Sequence, residues 1–200
     1  LPALVAVEPE LAYGDVFRHN PTERTLVIRN DSPLPAEFEV LEQRDADQRS
    51  IALLEATPRR AIIRPHGTAS VAVTVTAARL GPLSLPLYVG VVGAAEPSFT
   101  MDVSATAVGP TVEIESGPIL DFGKTTLLKE VAMCAAMGNS SPIVAEDRAL
   151  LKRHASPFVV SEPRGLLKPG ERRELAVSIC LEEVGTVHDE LQIEVRDVPD

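Results

Sequence analysis

A chain of 200 residues that is 44% hydrophobic and 24% charged can build a folded core and is neither a disordered tail nor a collagen-like repeat. Its 19 basic and 29 acidic residues leave a net charge of -10, a field that repels phosphate backbones and anionic lipid and so disfavours nucleic acid and membrane surfaces as partners. With 17 Pro, 12 Gly, no Trp, 2 Tyr and 5 Phe, the composition favours many short strands over long helices and lacks the aromatic platforms on which sugars and single strands stack.

The chain opens on Leu1-Pro2 with no initiator Met and no basic stretch before an apolar run, and reads as an excised piece. Leu26 and Ile28 in TLVIRN start a strand alternation that ends in the turn Asn30-Asp31-Ser32-Pro33. Residues 37–41 (EFEVL) alternate again, and after the turn Pro65-His66-Gly67 come Val71, Val73 and Val75, then Leu87, Val89 and Val91. The longest apolar run, residues 83–95, is interrupted by Pro86 and two Gly. It falls short of the ~20 residues of a membrane span and reads as a buried strand. Residues 99–108 (FTMDVSATAV) form a further strand, followed by a short joint at 108–111 that contains Pro110. So short a joint allows little independent tumbling and suits a scaffold.

Beyond that joint the pattern repeats. A shift of 109 brings Leu11, Tyr13, Gly14, Asn30, Ser32, Pro33 and Ala36 onto Leu120, Phe122, Gly123, Asn139, Ser141, Pro142 and Ala145. Five residues then drop out, and a shift of 104 brings Pro65, Val71, Val73, Val75, Gly81, Leu87, Val89 and Val91 onto Pro169, Leu175, Val177, Ile179, Gly185, Leu191, Ile193 and Val195. A period this long is a domain rather than a solenoid repeat. The expected organisation is an all-β tandem of two immunoglobulin-like antiparallel sandwiches, 1–109 and 110–200, with about seven strands each. Residues 146–154 (EDRALLKRH) have a composition that would suit a helical turn; their counterpart alternates, so they are read as strand. The strand at 99–108 has no counterpart before Val198-Pro199-Asp200. The second unit is therefore expected to lack its last strand and to leave an open edge, completed by the continuing chain or by a partner.

No motif carries strong chemistry. Gly123-Lys124-Thr125 ends like a P-loop, but Gly117 precedes Gly123 by six residues instead of five and no strand-to-helix pattern surrounds it. His19, His66, His154 and His188 stand singly, without metal-ligand spacing, and there is no Gly-x-Ser-x-Gly elbow. Glu182-Glu183 and Asp189-Glu190 lie beside turns and read as solvated charge. No residue is therefore read as catalytic, cofactor-binding or metal-ligating, and no cofactor is expected. Asn30-Asp31-Ser32 and Asn139-Ser140-Ser141 fit the glycosylation pattern, but each is followed by Pro, and turn chemistry explains them first. Cys134 and Cys180 lie on outward positions of their strands and read as free thiols.

The order of landmarks resembles the ASH domain, an immunoglobulin-like relative of the major sperm protein and PapD folds found in abnormal-spindle, Hydin and other ciliary and centrosomal proteins. In the second unit the residues that carry it are Leu120, Asp121, Phe122, Gly123, Asn139, Ser141, Pro142, Phe158, Ser161, Pro163, Gly165, Leu167, Pro169, Gly170, Glu171 and Gly185. The first unit matches more loosely, through Tyr13, Gly14, Asn30, Ser32, Pro33, Pro65 and Gly67. The resemblance implies a non-catalytic scaffold or protein-interaction segment of a larger axonemal (central apparatus) or centrosomal protein. Its partners would be other axonemal or centrosomal proteins and neighbouring immunoglobulin-like domains, with no nucleic acid and no membrane insertion. Two alternatives stand beside it. One is a peptide receptor like the major sperm protein domains, with Arg59, Arg60 and Arg64, Lys152 with Arg153, or Arg172 with Arg173 as its basic face. The other is an extracellular adhesion or periplasmic chaperone-like tandem.

Overall fold

Alternating apolar residues become strands wherever one side of the chain can be buried. The computed structural model describes residues 3–43 and 45–197, and the chain divides into two compact units, Leu1–Val108 and Gly109–Asp200. Val198-Pro199-Asp200, where the sequence pattern of the second unit breaks off, lie outside the described residues.

In unit one the described elements are β1 (Leu4–Ala6), β2 (Glu10–Phe17), β3 (Thr22–Asn30), β4 (Ala36–Val40), α1 (Ala46–Ile51), β5 (Ala52–Thr57), β6 (Arg60–Ile63), β7 (Thr68–Ala77), β8 (Gly81–Val91) and β9 (Phe99–Val108). One sheet has the order β1-β3-β7-β5 and the other β2-β9-β8-β4-β6. The first is the A-B-E-D sheet of an immunoglobulin sandwich, and β4, β8 and β9 are the C, F and G strands of the second. Strand β7 explains why the layers close: Val71, Val73 and Val75 are fully buried, while Ala72 and Thr74 between them are half-buried. Burial of Val and Leu side chains in this way stabilises the unit by roughly 1.5–3 kcal/mol each.

Two features exceed the expected seven strands. Strand β2 runs parallel to β9, and β6, after the Pro58 corner, leaves the first sheet to pair with β4. The helix α1 was not expected. It is six residues long, with Asp45 accepting a hydrogen bond from the Asp47 amide at 2.8 Å as its N-cap, and none of its residues is buried. It sits in the β4–β5 connection, where unit one holds the five residues that unit two lacks.

Unit two contains β10 (Val112–Ile114), β11 (Val131–Asn139), β12 (Ala145–Leu151), β13 (Phe158–Val160), β14 (Arg164–Leu167), β15 (Arg172–Ile179) and β16 (Leu191–Val195). Its sheets have the orders β10-β11-β15-β13 and β14-β12-β16. These are the counterparts of β1-β3-β7-β5 and β6-β4-β8. The segment 146–154 is strand as far as Leu151. Among the described residues, nothing takes the places of β9 and β2.

Candidate functional site

The duplication is most faithful at one polar clamp. Asn30 and Asn139, buried at the ends of β3 and β11, each hold the turn that follows. The Asn30 amide donates to the carbonyls of Leu34 at 2.7 Å and Ile63 at 3.3 Å, and Asn139 donates to Ile143 at 2.7 Å and Leu167 at 2.9 Å. Their Oδ1 atoms accept from the amides of Ser32 and Ser141 at 3.0 Å and from the two Ser hydroxyls at 2.6 Å. Every polar atom of these buried side chains is thus satisfied locally. The left-handed conformation open to these Asn is not used; in the neighbouring turn it falls to His66 (φ 57) and to its counterpart Gly170 (φ 71). With 0% and 2% exposure, neither Asn presents an acceptor for a glycan.

The other motifs resolve into turns and surface pairs. Gly123 donates its amide to Asp121 Oδ1 at 2.8 Å, with φ 60, and no helix follows it. The turn has an Asx geometry and no phosphate cradle. Asp189 Oδ1 accepts from the amides of Glu190 at 2.8 Å and Arg153 at 3.2 Å. The Ser156 side chain beside it, above all, holds its carboxyl below the ordinary range. Cys134 and Cys180 are exposed free thiols, the four histidines are exposed, and among the described residues no three His, Cys, Asp or Glu side chains gather as a metal site.

The suggested basic faces are largely paired with acid. Arg60 meets Glu39 at 3.0 Å, Arg59 meets Glu42, Lys152 meets Glu190 at 2.7 Å and Arg172 meets Glu115 at 2.9 Å. Arg173 is half-buried. Its guanidinium donates to Asp147 Oδ2 at 2.6 Å and to the carbonyls of Glu162 and Arg164, with side-chain exposures of 16% for Arg173 and 0% for Asp147. The Asp147 Oδ1 atom is buried without a partner. The repeat places Asp147 and Arg173 where unit one has Phe38 and Ala69, so an ion pair fills the space of an aromatic ring. The sequence reading missed this, although inward alternation of Ala145, Asp147 and Ala149 carried the signal.

The largest difference between the units lies beside β16. In unit one Leu87 and Val89 on β8 and Leu11 and Tyr13 on β2 are buried against β9. The Tyr13 hydroxyl donates to the Val73 carbonyl, and burial pushes its pKa up to about 12. In unit two the counterparts Leu191, Ile193, Leu120 and Phe122 are only half-buried. Phe122 leans on Phe158 with ring centroids 5.5 Å apart. Between these residues runs a groove of about 810 Å³ lined by Leu120, Phe122, Phe158, Leu181, Leu191 and Ile193. The stretch 118–126, counterpart of β2, is not a strand; among the described residues no strand lies beside it to pair its amides and carbonyls.

No family model matches the chain. Over 196 residues, 98% of the chain, it is 25% identical to the hydrocephalus-inducing protein of Mus musculus. Over 189 residues, 94% of the chain, it is 24% identical to the hydrocephalus-inducing protein homolog of Homo sapiens. The chain spans 4% of the length of each of these relatives. Among solved structures, the ASH/PapD-like domain of human CEP192 (PapD-like domain 7) aligns with 54% of this chain and 86% of its own at 10% identity and a TM-score of 0.42. The E. coli chaperone DraB aligns over 96% of each chain at 14% identity and a TM-score of 0.41. With A-B-E-D sheets in both units, the chain consists of immunoglobulin-like sandwiches, and along nearly its whole length it is similar to a short stretch of the hydrocephalus-inducing proteins.

Proposed function

We propose that the chain is a non-catalytic scaffold segment of a larger ciliary axonemal or centrosomal protein, engaged with other proteins through its sheet edges and faces. The observation that carries this reading is the similarity to the hydrocephalus-inducing proteins over 98% and 94% of the chain. The ASH resemblance attaches a ciliary setting to proteins of that kind. The internal chemistry is consistent with it: the duplicated polar network at Asn30 and Asn139 is consumed in holding turns, and Asp121 and Asp189 accept backbone amides in the same way. Of the seven basic residues weighed for a phosphopeptide face, Arg59, Arg60, Lys152, Arg172 and Arg173 each contact a carboxylate, which leaves Arg64 and Arg153 and weakens that alternative.

The test is to raise antibodies against this chain and image ciliated cells of its source. Signal along the axoneme or at the centrosome is the expected result. A diffuse, secreted or membrane-bounded signal with neither structure labelled overturns the proposal.

A further inference from the structure

We propose that this chain binds a second copy of itself head to tail, the Arg148–Arg164 pair of one molecule meeting the Glu10–Asp102 pair of the next. This inference goes beyond the ciliary reading and does not depend on it, because it rests on the charges that two sheet faces carry.

The basic pair arises from a reversal of charge between the two units. In unit one Glu39 of β4 lies opposite Arg60 of β6, and the two form an ion pair at 3.0 Å. In unit two the same positions on β12 and β14 hold Arg148 opposite Arg164. Both are exposed, and among the described residues neither guanidinium joins an ion pair. On the other side of Arg148 Glu194 stands in register on β16, in no ion pair either among the described residues, and the neighbouring Glu146 is held by Arg196 at 2.8 Å. Like charges directly opposite each other destabilise a sheet. The pair therefore costs unit two stability until carboxylates from outside meet it.

Unit one carries the complement. On the outer face of its second sheet Glu10 of β2 lies opposite Asp102 of β9, both exposed and, among the described residues, without a basic partner. The residue in register on the other side of Asp102 is Pro86, which is uncharged. Each pair occupies an edge strand and the strand beside it, β14 with β12 and β2 with β9. Each presents its two like charges one strand spacing apart, about 4.8 Å, so two guanidiniums can meet two carboxylates side by side, each arginine forked onto one acid. A net charge of -10 makes the copies repel at a distance, but in about 0.15 M salt that field fades within ~8 Å and the facing pairs still attract. Every copy carries both pairs, so the contact links copies in rows or rings rather than closing a two-fold dimer.

Sedimentation velocity of the full chain, from about 1 µM to about 1 mM in about 0.15 M salt, tests this. The sedimentation coefficient should rise with concentration, and about 1 M salt, where the Debye length is ~3 Å, should weaken the association. Arg148→Glu with Arg164→Glu, and separately Glu10→Arg with Asp102→Arg, should each weaken it by about tenfold or more, the scale of losing close charge pairs. The neutral variant Arg148→Gln with Arg164→Gln, which adds no charge that could disturb the fold, should weaken it too. An equimolar mixture of the two reversed variants should associate again, because the acid pair of the first meets the arginine pair of the second and the introduced charges meet each other. A parent chain that stays monomeric at every concentration, neutral or reversed variants that associate like the parent, or a mixture no larger than its components overturns the proposal.

Discussion

Replacing Arg173 by Ala tests whether unit two depends on an internal ion pair where unit one uses a ring. At 2.6 Å and an effective dielectric near 20, the gross attraction between Arg173 and Asp147 is roughly 6 kcal/mol. Desolvation of the two ions offsets most of this, at several kcal/mol each. Arg173→Ala removes the attraction and leaves Asp147, whose side chain is 0% exposed, buried as an uncompensated charge. Such breakages cost ~3–5 kcal/mol, and the 16% exposure of Arg173 lets water screen the pair, which puts the expected loss at about 3 kcal/mol. The double variant Asp147→Phe with Arg173→Ala installs the residue types of Phe38 and Ala69. It should return to within about 1 kcal/mol of the parent, as apolar replacements of buried pairs do. Urea denaturation separates the units cleanly, because both tyrosines, Tyr13 and Tyr88, lie in unit one. The tyrosine-fluorescence transition should stay fixed, while the remaining component of the circular-dichroism transition moves to lower urea by about 2 M. A shift in that component equivalent to less than about 1 kcal/mol for Arg173→Ala, or a double variant as unstable as the single one, would refute the reasoning.

Further expectations follow from the same contacts. Asn139→Ala leaves the Ser141 amide and the Leu167 carbonyl without their partner and should cost unit two about 3 kcal/mol in denaturant. Asn30→Ala should cost unit one a similar amount, and only this second variant should shift the tyrosine signal. Tyr13 holds its proton more tightly in the folded state, with a pKa of about 12 against an ordinary 10. The stability this group contributes is complete below pH 10 and is lost as pH rises from 10 to 12. A fall on the order of 2 kcal/mol in unit one over that interval, absent in Tyr13→Phe, is expected from alkaline denaturation curves. Gly14 has φ +68, and a Cβ there meets no atom within 4 Å. Gly14→Ala should therefore cost only the left-handed backbone strain, about 1 kcal/mol by thermal melting. By contrast, a Cβ at Gly165 would overlap the Arg173 guanidinium, the far end of a flexible side chain that can shift and keep its charge, so Gly165→Ala should destabilise unit two by less than Arg173→Ala in the same urea assay.

The strands were readable because their cause is local. A period-two run such as Val71, Val73 and Val75 can bury one face only as a strand, and turns built on Asn-x-Ser-Pro announce themselves by residue type. The duplication made the pattern readable twice and marked the absent partner of β16 as a gap in the second copy. What escaped was set by context. The helix α1 has six residues, too few to display a helical period. Arg173 looks like surface charge in the string RRE. It is drawn inward by a carboxylate 26 positions away, a coincidence that only the folded sheets create. The loss of strand character at 118–126 was hidden too, since Leu120, Phe122 and Gly123 match β2 residue for residue while no strand lies beside this stretch among the described residues.

Native-state hydrogen exchange at two equivalent amides, Val89 on β8 and Ile193 on β16, tests most directly the claim that the chain holds one sandwich twice, with β16 unpaired on its second edge among the described residues. Both residues point their backbone groups to the same side of the same strand, and only Val89 has β9 beside it. Slow exchange at Val89, limited by global unfolding of unit one, together with exchange at Ile193 far faster than at Gln192 on the paired side of its own strand, is the predicted result. Equal protection of Ile193 and Gln192 in the chain alone would contradict the claim.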